Sequence, residues 1–282
     1  MTETVLVLGS TGKTGRRLVP RLTASGLKVR AASRKAGEGR VHFDWDRRET
    51  HLPALRGADA LYLVAPDLVE DPTPVVGPFL ESAEREGVTR VVLLSSLGTE
   101  FPNEDPDSGR RKVERQVMAS GLAWTILRPS GFAQNFSEGF LLPGILRAGA
   151  VASVTGSGAV ALVDAGDIAA VAAAALTEDG HSGATYAVTG PEALTFAQAA
   201  ATIGQVIGRD IGYRQISPDE LTGILVGSGI PADYAAMVVR DQEAIRDGAG
   251  ATVTGTVAQV TGRPATPFAA YAAGAARAWT SA

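Results

Sequence analysis

Through the first half of the chain, short unbroken apolar runs alternate with stretches whose apolar residues recur at helical spacing. Val5-Leu-Val-Leu8, Ala60-Leu-Tyr-Leu-Val64 and Val91-Val-Leu-Leu94 have no polar residue at every second position. That pattern suits strands buried on both faces of a parallel sheet rather than strands with one wet face. Between them, Leu18, Val19 and Leu22 predict a first helix after Gly15, with Pro20 expected to kink it. Leu27–Arg34 predicts the second strand, Val41–Asp44 a short third, Leu52–Gly57 a short helix or turn, and Ala60–Pro66 the fourth strand. Asp67–Pro78 reads as a loop entering a helix near Val75 that ends at Gly87. Val91–Ser96 is the fifth strand, 108–120 a helix and Leu122–Pro129 the sixth strand. Strand and helix in strict alternation predict a doubly wound, parallel α/β sheet.

Beyond Phe140 the pattern changes. Val151–Val163 predicts short strands, and Asp164 or Asp167 starts a helix through Ile168, Val171 and Ala175. Thr185–Gly190 reads as another strand, and Thr195 caps a helix over Phe196–Gly208. Ile211–Ile216 is extended, and Pro218 opens a helix through Leu225. Pro231–Gly248 reads as the clearest amphipathic helix of this part, 261–264 as a turn and Phe268–Trp279 as a final Ala-rich helix. The expected organisation is a dinucleotide-binding core over 1–150, completed by 160–190. A smaller α+β C-terminal lobe over 191–282, with parts of 137–158, is built onto it.

Composition narrows the function classes. In 282 residues the formal net charge is −4, so there is no broad basic field and nucleic acid is not an expected partner. With no cysteine, disulfides, thiolate metal sites and a cysteine nucleophile are excluded. Apolar runs such as Ile168–Leu176 are too short to span a bilayer, and the N-terminus enters a strand without a signal peptide, so no membrane association and a cytoplasmic location are expected. His42, His51 and His181 lack the spacing of a metal site; none is expected, and each histidine is expected at the surface.

The candidate chemistry gathers at strand ends. Gly9, Gly12 and Gly15 follow the first strand at three-residue intervals, in Gly9-Ser10-Thr11-Gly12-Lys13-Thr14-Gly15. Here Gly9 serves a sharp turn, Gly12 a close approach of backbone to a pyrophosphate, and Gly15 close packing of helix on sheet. Free N–H groups and the helix dipole then face the phosphates. At the end of the second strand, where an acidic residue would bind the ribose 2′-OH of NAD, stand Ser33, Arg34 and Lys35. A guanidinium and a hydroxyl suit the 2′-phosphate of NADP, and Lys13 adds a cation near the phosphates. NADP(H) is the favoured cofactor. Asp44 either accepts from the adenine amino group or caps the next segment. Val64, Ala65 and Pro66 are expected to line the nucleotide crevice. Ser95 and Ser96 either face the nicotinamide and substrate or only finish a strand.

Three motifs, Gly9-Ser-Thr-Gly12-Lys-Thr-Gly15, Val91-Val-Leu-Leu-Ser-Ser96 and Thr125-Ile-Leu-Arg-Pro129-Ser-Gly-Phe132-Ala-Gln-Asn135-Phe136, together resemble the NmrA-like group of atypical short-chain dehydrogenases/reductases. The likeness continues through Asp167-Ile-Ala169, Gly190-Pro-Glu192 and Thr261-Gly-Arg-Pro264. With Phe43-Asp-Trp45 it looks most like the branch holding clavine (ergot alkaloid) dehydrogenases and the reductase components of two-component anthracycline hydroxylases. The resemblance implies an NADP-binding Rossmann core with a small substrate lobe, the pocket lying over the nicotinamide. Pro129, Ser130, Gly131 and Phe132 then join the cofactor residues. Phe132, Asn135 and Phe136 either shape the substrate pocket or pack the interior. Tyr234 and Met237, on one helix face, either touch a flat aromatic substrate or belong to the core.

The wider superfamily uses a Tyr and, four residues later, a Lys that lowers the phenol's pKa. Counting back from Glu114 and Ser120-Gly121 puts Pro106 and Arg110 at those positions, with Lys112 two residues off. Proline transfers no proton and arginine stays charged. Quinone or iminium acceptors need little proton donation, and Ser95, Ser96 or Arg110 are the candidates to assist a developing oxyanion. Tyr62 is a further donor candidate, though a strand aromatic more often belongs to the core. The favoured reading is an NADPH-dependent reductase of an electron-poor aromatic, such as a polyketide quinone in anthracycline-like antibiotic tailoring, with a second protein component directing hydroxylation. A non-catalytic NADP(H) redox sensor and a clavine-type iminium reductase are the competing readings.

Overall fold

The computed structural model describes residues 3–35, 37 and 39–280. The chain forms two compact units. The first comprises Met1–Thr99, Asp105–Arg128 and Ile168–Tyr186; the second comprises Glu100–Glu104, Pro129–Asp167 and Ala187–Ala282.

In chain order the first part carries β1 (Thr4–Val7), α1 (Gly15–Ala24), β2 (Lys28–Ser33), β3 (Arg40–His42), α2 (His51–Leu55), β4 (Ala60–Val64), α3 (Thr73–Arg85), β5 (Arg90–Leu94), α4 (Gly109–Ala119) and β6 (Ala123–Pro129). Then come α5 (Asn135–Glu138), α6 (Leu142–Ala148), β7 (Ala150–Ser153), β8 (Ala159–Val160), α7 (Ala165–Thr177) and β9 (Ala184–Val188). The remainder holds β10 (Leu194–Thr195), α8 (Phe196–Ile207), β11 (Gly212–Gln215), α9 (Pro218–Gly227), α10 (Ala232–Arg246), α11 (Thr256–Thr261), α12 (Phe268–Ala275) and α13 (Arg277–Thr280).

A seven-stranded sheet runs in the order β3-β2-β1-β4-β5-β6-β9. The pairs from β3 through β6 are parallel, with Val5 opposite Val29 on one side and Ala60 on the other. Every residue of β1 is buried, as an all-apolar run between two neighbouring strands requires. Chain order reverses between β1 and β4, which opens a crevice outside the carboxyl ends of those strands. The doubly wound sheet expected from the alternation is the one observed.

Within the first unit, Leu6, Leu8, Leu61, Leu63, Val91 and Leu93 pack with Val76, Phe79, Val113 and Val117 from α3 and α4. Helix α1 buries Gly15, Leu18 and Leu22 and continues through Pro20 to Ala24. The third strand ends at His42, two residues short of the expected Asp44; Phe43 N still donates to Ser33 O at 3.0 Å, and its ring is buried in the core. His51 also departs from expectation: it is buried, not at the surface. Its ring stacks on Phe43 at 5.0 Å and meets Trp45 and Phe79 edge-on. Its Nε2 donates to the Asp44 carbonyl at 3.0 Å, which makes burial affordable for a polar ring. His42 and His181 are half-buried, and His181 Nδ1 lies 2.8 Å from the Tyr186 hydroxyl.

The second unit has its own cores. Phe136, Phe196, Ile203, Phe268, Tyr271 and Trp279 form one, and Val154, Ile216, Leu221, Leu225, Ala235 and Val239 a smaller one. Thr195 caps α8 as expected: its hydroxyl accepts from Gln198 N at 3.1 Å, and Gln198 Oε1 accepts from Thr195 N at 2.8 Å. The clearest apolar face in this part belongs to α8, which buries Phe196, Ala199, Ala200, Ile203 and Gly204, and not to α10, whose buried residues include Gln242. The C-terminal helix is interrupted after Ala275, and Trp279 Nε1 donates to the Phe136 carbonyl at 2.7 Å. The helices α5, α6 and α11 were not expected from the apolar pattern, since they are too short to develop a helical period. Among the described residues no helix is long and apolar enough to cross a membrane.

Burial holds the His51 imidazole below its usual value of 6.5, while its backbone hydrogen bonds oppose that shift. The unfolded chain therefore binds the proton more readily, and His51's contribution to stability is present above 6.5 and is lost as pH falls below it. In thermal melts from pH 7.5 to 5, His51→Gln is expected to flatten part of the wild-type decline; identical slopes would refute a buried, neutral His51.

Candidate functional site

The residues singled out at strand ends fall along one edge of the first unit's sheet. The glycine loop leaves β1 with Gly9 at φ +60°, a left-handed conformation that favours glycine. Its path is tied on both sides, Leu8 N donating to Tyr62 O at 3.1 Å and Ser10 N to Ala32 O at 3.0 Å. Gly12 N donates to Gly9 O at 2.8 Å, closing the turn. At Gly15 a Cβ would overlap the Gly9 carbonyl oxygen and come within 2.8 Å of Ser10 Cα. The start of α1 thus rests directly on the loop backbone, and only a residue without a side chain permits it. Thr14 is buried and its hydroxyl accepts from Tyr62 OH at 3.1 Å, pinning the same junction to β4. This commits Tyr62: fully buried, its phenol is pushed well above the ordinary range by desolvation, and it is not available as an acid.

The loop fits a phosphate-bearing ligand. Gly9, Thr11 and Gly12 are exposed, Lys13 is half-buried, and Ser10 Oγ is buried without a hydrogen-bond partner. An orphaned hydroxyl at a helix start offers a donor to an anion. At the end of β2, Ser33 is buried and donates to the Lys35 carbonyl at 2.7 Å, which curls the chain so that Arg34 and Lys35 are exposed. Arg40 comes over the same turn: its Nη2 lies 2.9 Å from where a Cβ on Gly37 would stand. It is a third cation that sequence reasoning missed, and only the hairpin-like bridge between Gly37 and Arg40 brings it there.

Asp44 is half-buried. Its Oδ1 accepts from Asp46 N at 3.2 Å, so it caps a local turn, and its backbone N–H is taken by Thr50 Oγ1 at 3.0 Å. Val64, Ala65 and Pro66 are half-buried where β4 ends, and Trp45 Nε1 donates to the Val64 carbonyl at 3.2 Å. The strand leads into a loop in which Leu68 takes φ 59°. That loop is latched to α4: a Cβ on Gly109 would overlap the Glu70 carbonyl, and Lys112 Nζ meets Asp71 Oδ2 at 3.0 Å. Lys112 is thereby occupied with the loop and stands apart from Ser95.

At the end of β5, Ser95 Oγ donates to Glu114 Oε1 at 2.5 Å. Arg128 grips the same carboxylate through Nε at 2.9 Å and Nη2 at 2.5 Å, a bidentate pair nearly shut off from water. The Ser95 proton is therefore committed, and its oxygen is left to accept. Ser96 Oγ accepts from Gly98 N at 3.1 Å, finishing the turn. Arg110 lies over Gly98 and donates to its carbonyl at 3.1 Å, so its guanidinium braces the post-β5 turn. Glu114 and Arg128 are a buried pair that sequence reading did not join; Arg128 stands out as the one charge in β6, whereas Glu114 lies among the many charged residues of α4.

In the second unit, Pro129 and Ser130 are buried, Ser130 N donating to Val188 O at 3.0 Å and its hydroxyl to the Ala161 carbonyl. Gly131 and Phe132 are half-buried, with a bridge from Phe132 to Val163. Asn135 is half-buried at the start of α5, whereas Phe136 is fully buried against Phe196 and Phe268 at 5.3 Å each, which makes it a core residue. Tyr234 and Met237 are half-buried on one side of α10. Among the described residues no cluster of three His, Cys, Asp or Glu side chains is placed to hold a metal.

The model of an NAD(P)H-binding family matches residues 9–179. Over 98% of this chain and 96% of its own length, an uncharacterised oxidoreductase of Bacillus subtilis is 39% identical. A (4-alkanoyl-5-oxo-2,5-dihydrofuran-3-yl)methyl phosphate reductase of Streptomyces griseus is 37% identical over 94% of this chain and 95% of its own. An NADPH-dependent quinone oxidoreductase of Escherichia coli, solved with NADPH, has a similar fold with TM-score 0.81 and 24% identity, covering 96% of this chain and 99% of its own.

A Gly15→Ala variant is expected to lose about 1–3 kcal/mol of stability or more, because rigid backbone faces the added methyl. Its NADPH affinity, read by fluorescence titration, is expected to fall with it; a variant with unchanged melting and unchanged affinity would remove the loop from the site.

Proposed function

The chain belongs to the NAD(P)H-binding family of oxidoreductases, related to clavine dehydrogenases, and from that premise we propose that it is an NADPH-dependent reductase of an electron-poor aromatic small molecule, a quinone. The observation that carries this reading is the state of the polar groups at the carboxyl edge of β4 and β5. Ser95 donates to Glu114, Arg110 braces Gly98, Lys112 is paired with Asp71, and Tyr62 is buried with its hydroxyl on Thr14. These side chains include no matched, accessible acid of the kind a carbonyl reduction uses. A quinone accepts a hydride without one, because its reduced oxygen is a stable phenolate that takes its proton from water. The Streptomyces griseus relative is named for an oxo-dihydrofuran, also an electron-poor ring.

NADPH bound at the glycine loop supplies the hydride. The chain's own contribution is to hold and orient it. Backbone N–H groups of the loop and Ser10 Oγ take the pyrophosphate, with Thr11, Lys13 and Thr14 shaping the cradle. Arg34 and Lys35 meet the 2′-phosphate, where a fork of guanidinium donors is worth about tenfold or more in affinity. Val64, Ala65 and Pro66 line the crevice, and Asp44 borders the adenine. Glu114 fixes the Ser95 hydroxyl so that its oxygen would be left to accept from the bound nicotinamide, and Arg128 holds the Glu114 carboxylate in place.

The reductase reading is tested by anaerobic NADPH oxidation against hydroxyanthraquinones, simpler quinones, cyclic iminium ions and unactivated ketones. Saturable turnover with quinones and none with ketones is expected; tight NADPH binding with no turnover on any acceptor would replace the reductase with a redox sensor. Arg34→Glu is expected to lower the preference for NADPH over NADH about tenfold to a hundredfold, and unchanged discrimination would take Arg34 out of the 2′-phosphate site.

A further inference from the structure

A cavity of about 360 Å³ lies in the first unit between the His51-bearing segment and α3. Its apolar lining includes Phe79, Val75 and Leu52, and His51 also lines it. Leu52 is 40% exposed, a large apolar side chain left open to the cavity mouth. Arg48 and Arg85 stand on the lining with one opposing charge, Glu86. Neighbouring Arg47 is paired with Glu49 at 2.9 Å, and Arg85 reaches Ser82 at 3.0 Å. The Arg48 side chain has no hydrogen bond or ion pair among the described residues, its backbone carbonyl accepting from His51 N. Its charge is felt at His51, where it favours the neutral imidazole.

Such a lining suits a small ligand with an apolar body and one negative end. Burying the body against Leu52 and Val75 removes exposed apolar surface from water, and a guanidinium fork receives a carboxylate with two parallel hydrogen bonds. The volume lies within the usual range of small-molecule sites.

The cavity wall is also mechanically joined to the crevice edge. Phe79 and His51 pack on Phe43 and Trp45, His51 holds the Asp44 carbonyl, and Trp45 Nε1 holds the carbonyl of Val64. A ligand that shifts His51 or Phe79 therefore acts on residues 44, 45 and 64 through packed rings and two backbone hydrogen bonds. We propose that this cavity is an effector site for a small aromatic carboxylate, and that its occupation changes the affinity of the protein for NADP(H). The coupling rests on the assignment of residues 44 and 64 to the nucleotide site; binding in the cavity does not. By linkage, NADPH must change the carboxylate's affinity by the same factor.

The test uses benzoate as the probe and the full chain, first without nucleotide. Saturable binding is expected in ¹H–¹⁵N spectra, with shifts centred on residues 48, 52, 82 and 85, while benzylamine produces none. Arg48→Glu is expected to weaken benzoate about tenfold or more, Leu52→Trp to block it by filling the cavity, and Arg263→Glu, in the second unit, to leave it unchanged. Saturating benzoate is expected to shift the NADPH dissociation constant about threefold or more, at the lower end of ordinary coupling energies. Equal binding of benzylamine, benzoate affinity untouched by both cavity variants, or an NADPH dissociation constant that benzoate leaves unchanged would each overturn the proposal. Loss of NADPH binding in the absence of benzoate would instead count against the cofactor assignment, which keeps the two readings separable.

Discussion

The first unit depends on how closely α1 approaches the end of β1. Gly15 lies on the carbonyl of Gly9 with no room for a Cβ, and that contact fixes where the helix starts and which backbone N–H groups face outward. Much of the surrounding design keeps this junction in place. Tyr62 reaches across from β4 to Thr14, and Ser10 N is tied to Ala32 of β2, so the loop is held from both neighbouring strands. A fully buried tyrosine hydroxyl costs free energy unless it is bonded, and the bond to Thr14 satisfies it.

A second fixed point sits at β5. Glu114 on α4 is nearly inaccessible and is gripped by Arg128 from β6 while it accepts the Ser95 hydroxyl. Removing one partner of such a buried pair typically costs about 3–5 kcal/mol, since the other charge is left without compensation. Its value here is in aim: it sets the rotamer of Ser95 and the distance between α4 and the sheet edge. Arg110 and Lys112, four and two residues earlier on the same helix, brace the turns after β5 and β4.

Much of this was legible in the sequence. Unbroken apolar runs gave the strands of the sheet, because residues buried on both faces leave an unambiguous pattern, and the glycines at 9, 12 and 15 gave the loop. What was hidden depends on long-range pairing. His51 carries no local sign that Phe43, Trp45 and Phe79, far apart in sequence, converge to bury it. Arg40 follows β2 by several residues and reaches the turn only through a bridge to Gly37. Phe136 looked suited to a pocket, yet its partners Phe196 and Phe268 lie at large sequence separations and enclose it completely. Helices α5, α6 and α11 were too short for periodicity to reveal.

The way the chain is shared between the two units has a consequence for synthesis. The first unit takes its last segment from Ile168–Tyr186, after the chain has already left it for Pro129–Asp167. A nascent chain emerging from the ribosome thus lacks the final edge strand of its sheet, β9, until the stretch through Val188 has cleared the tunnel. Until then β6 is an exposed edge, rich in apolar residues and open to pairing with other chains. A chain stopped near residue 150 would present that unpaired edge permanently.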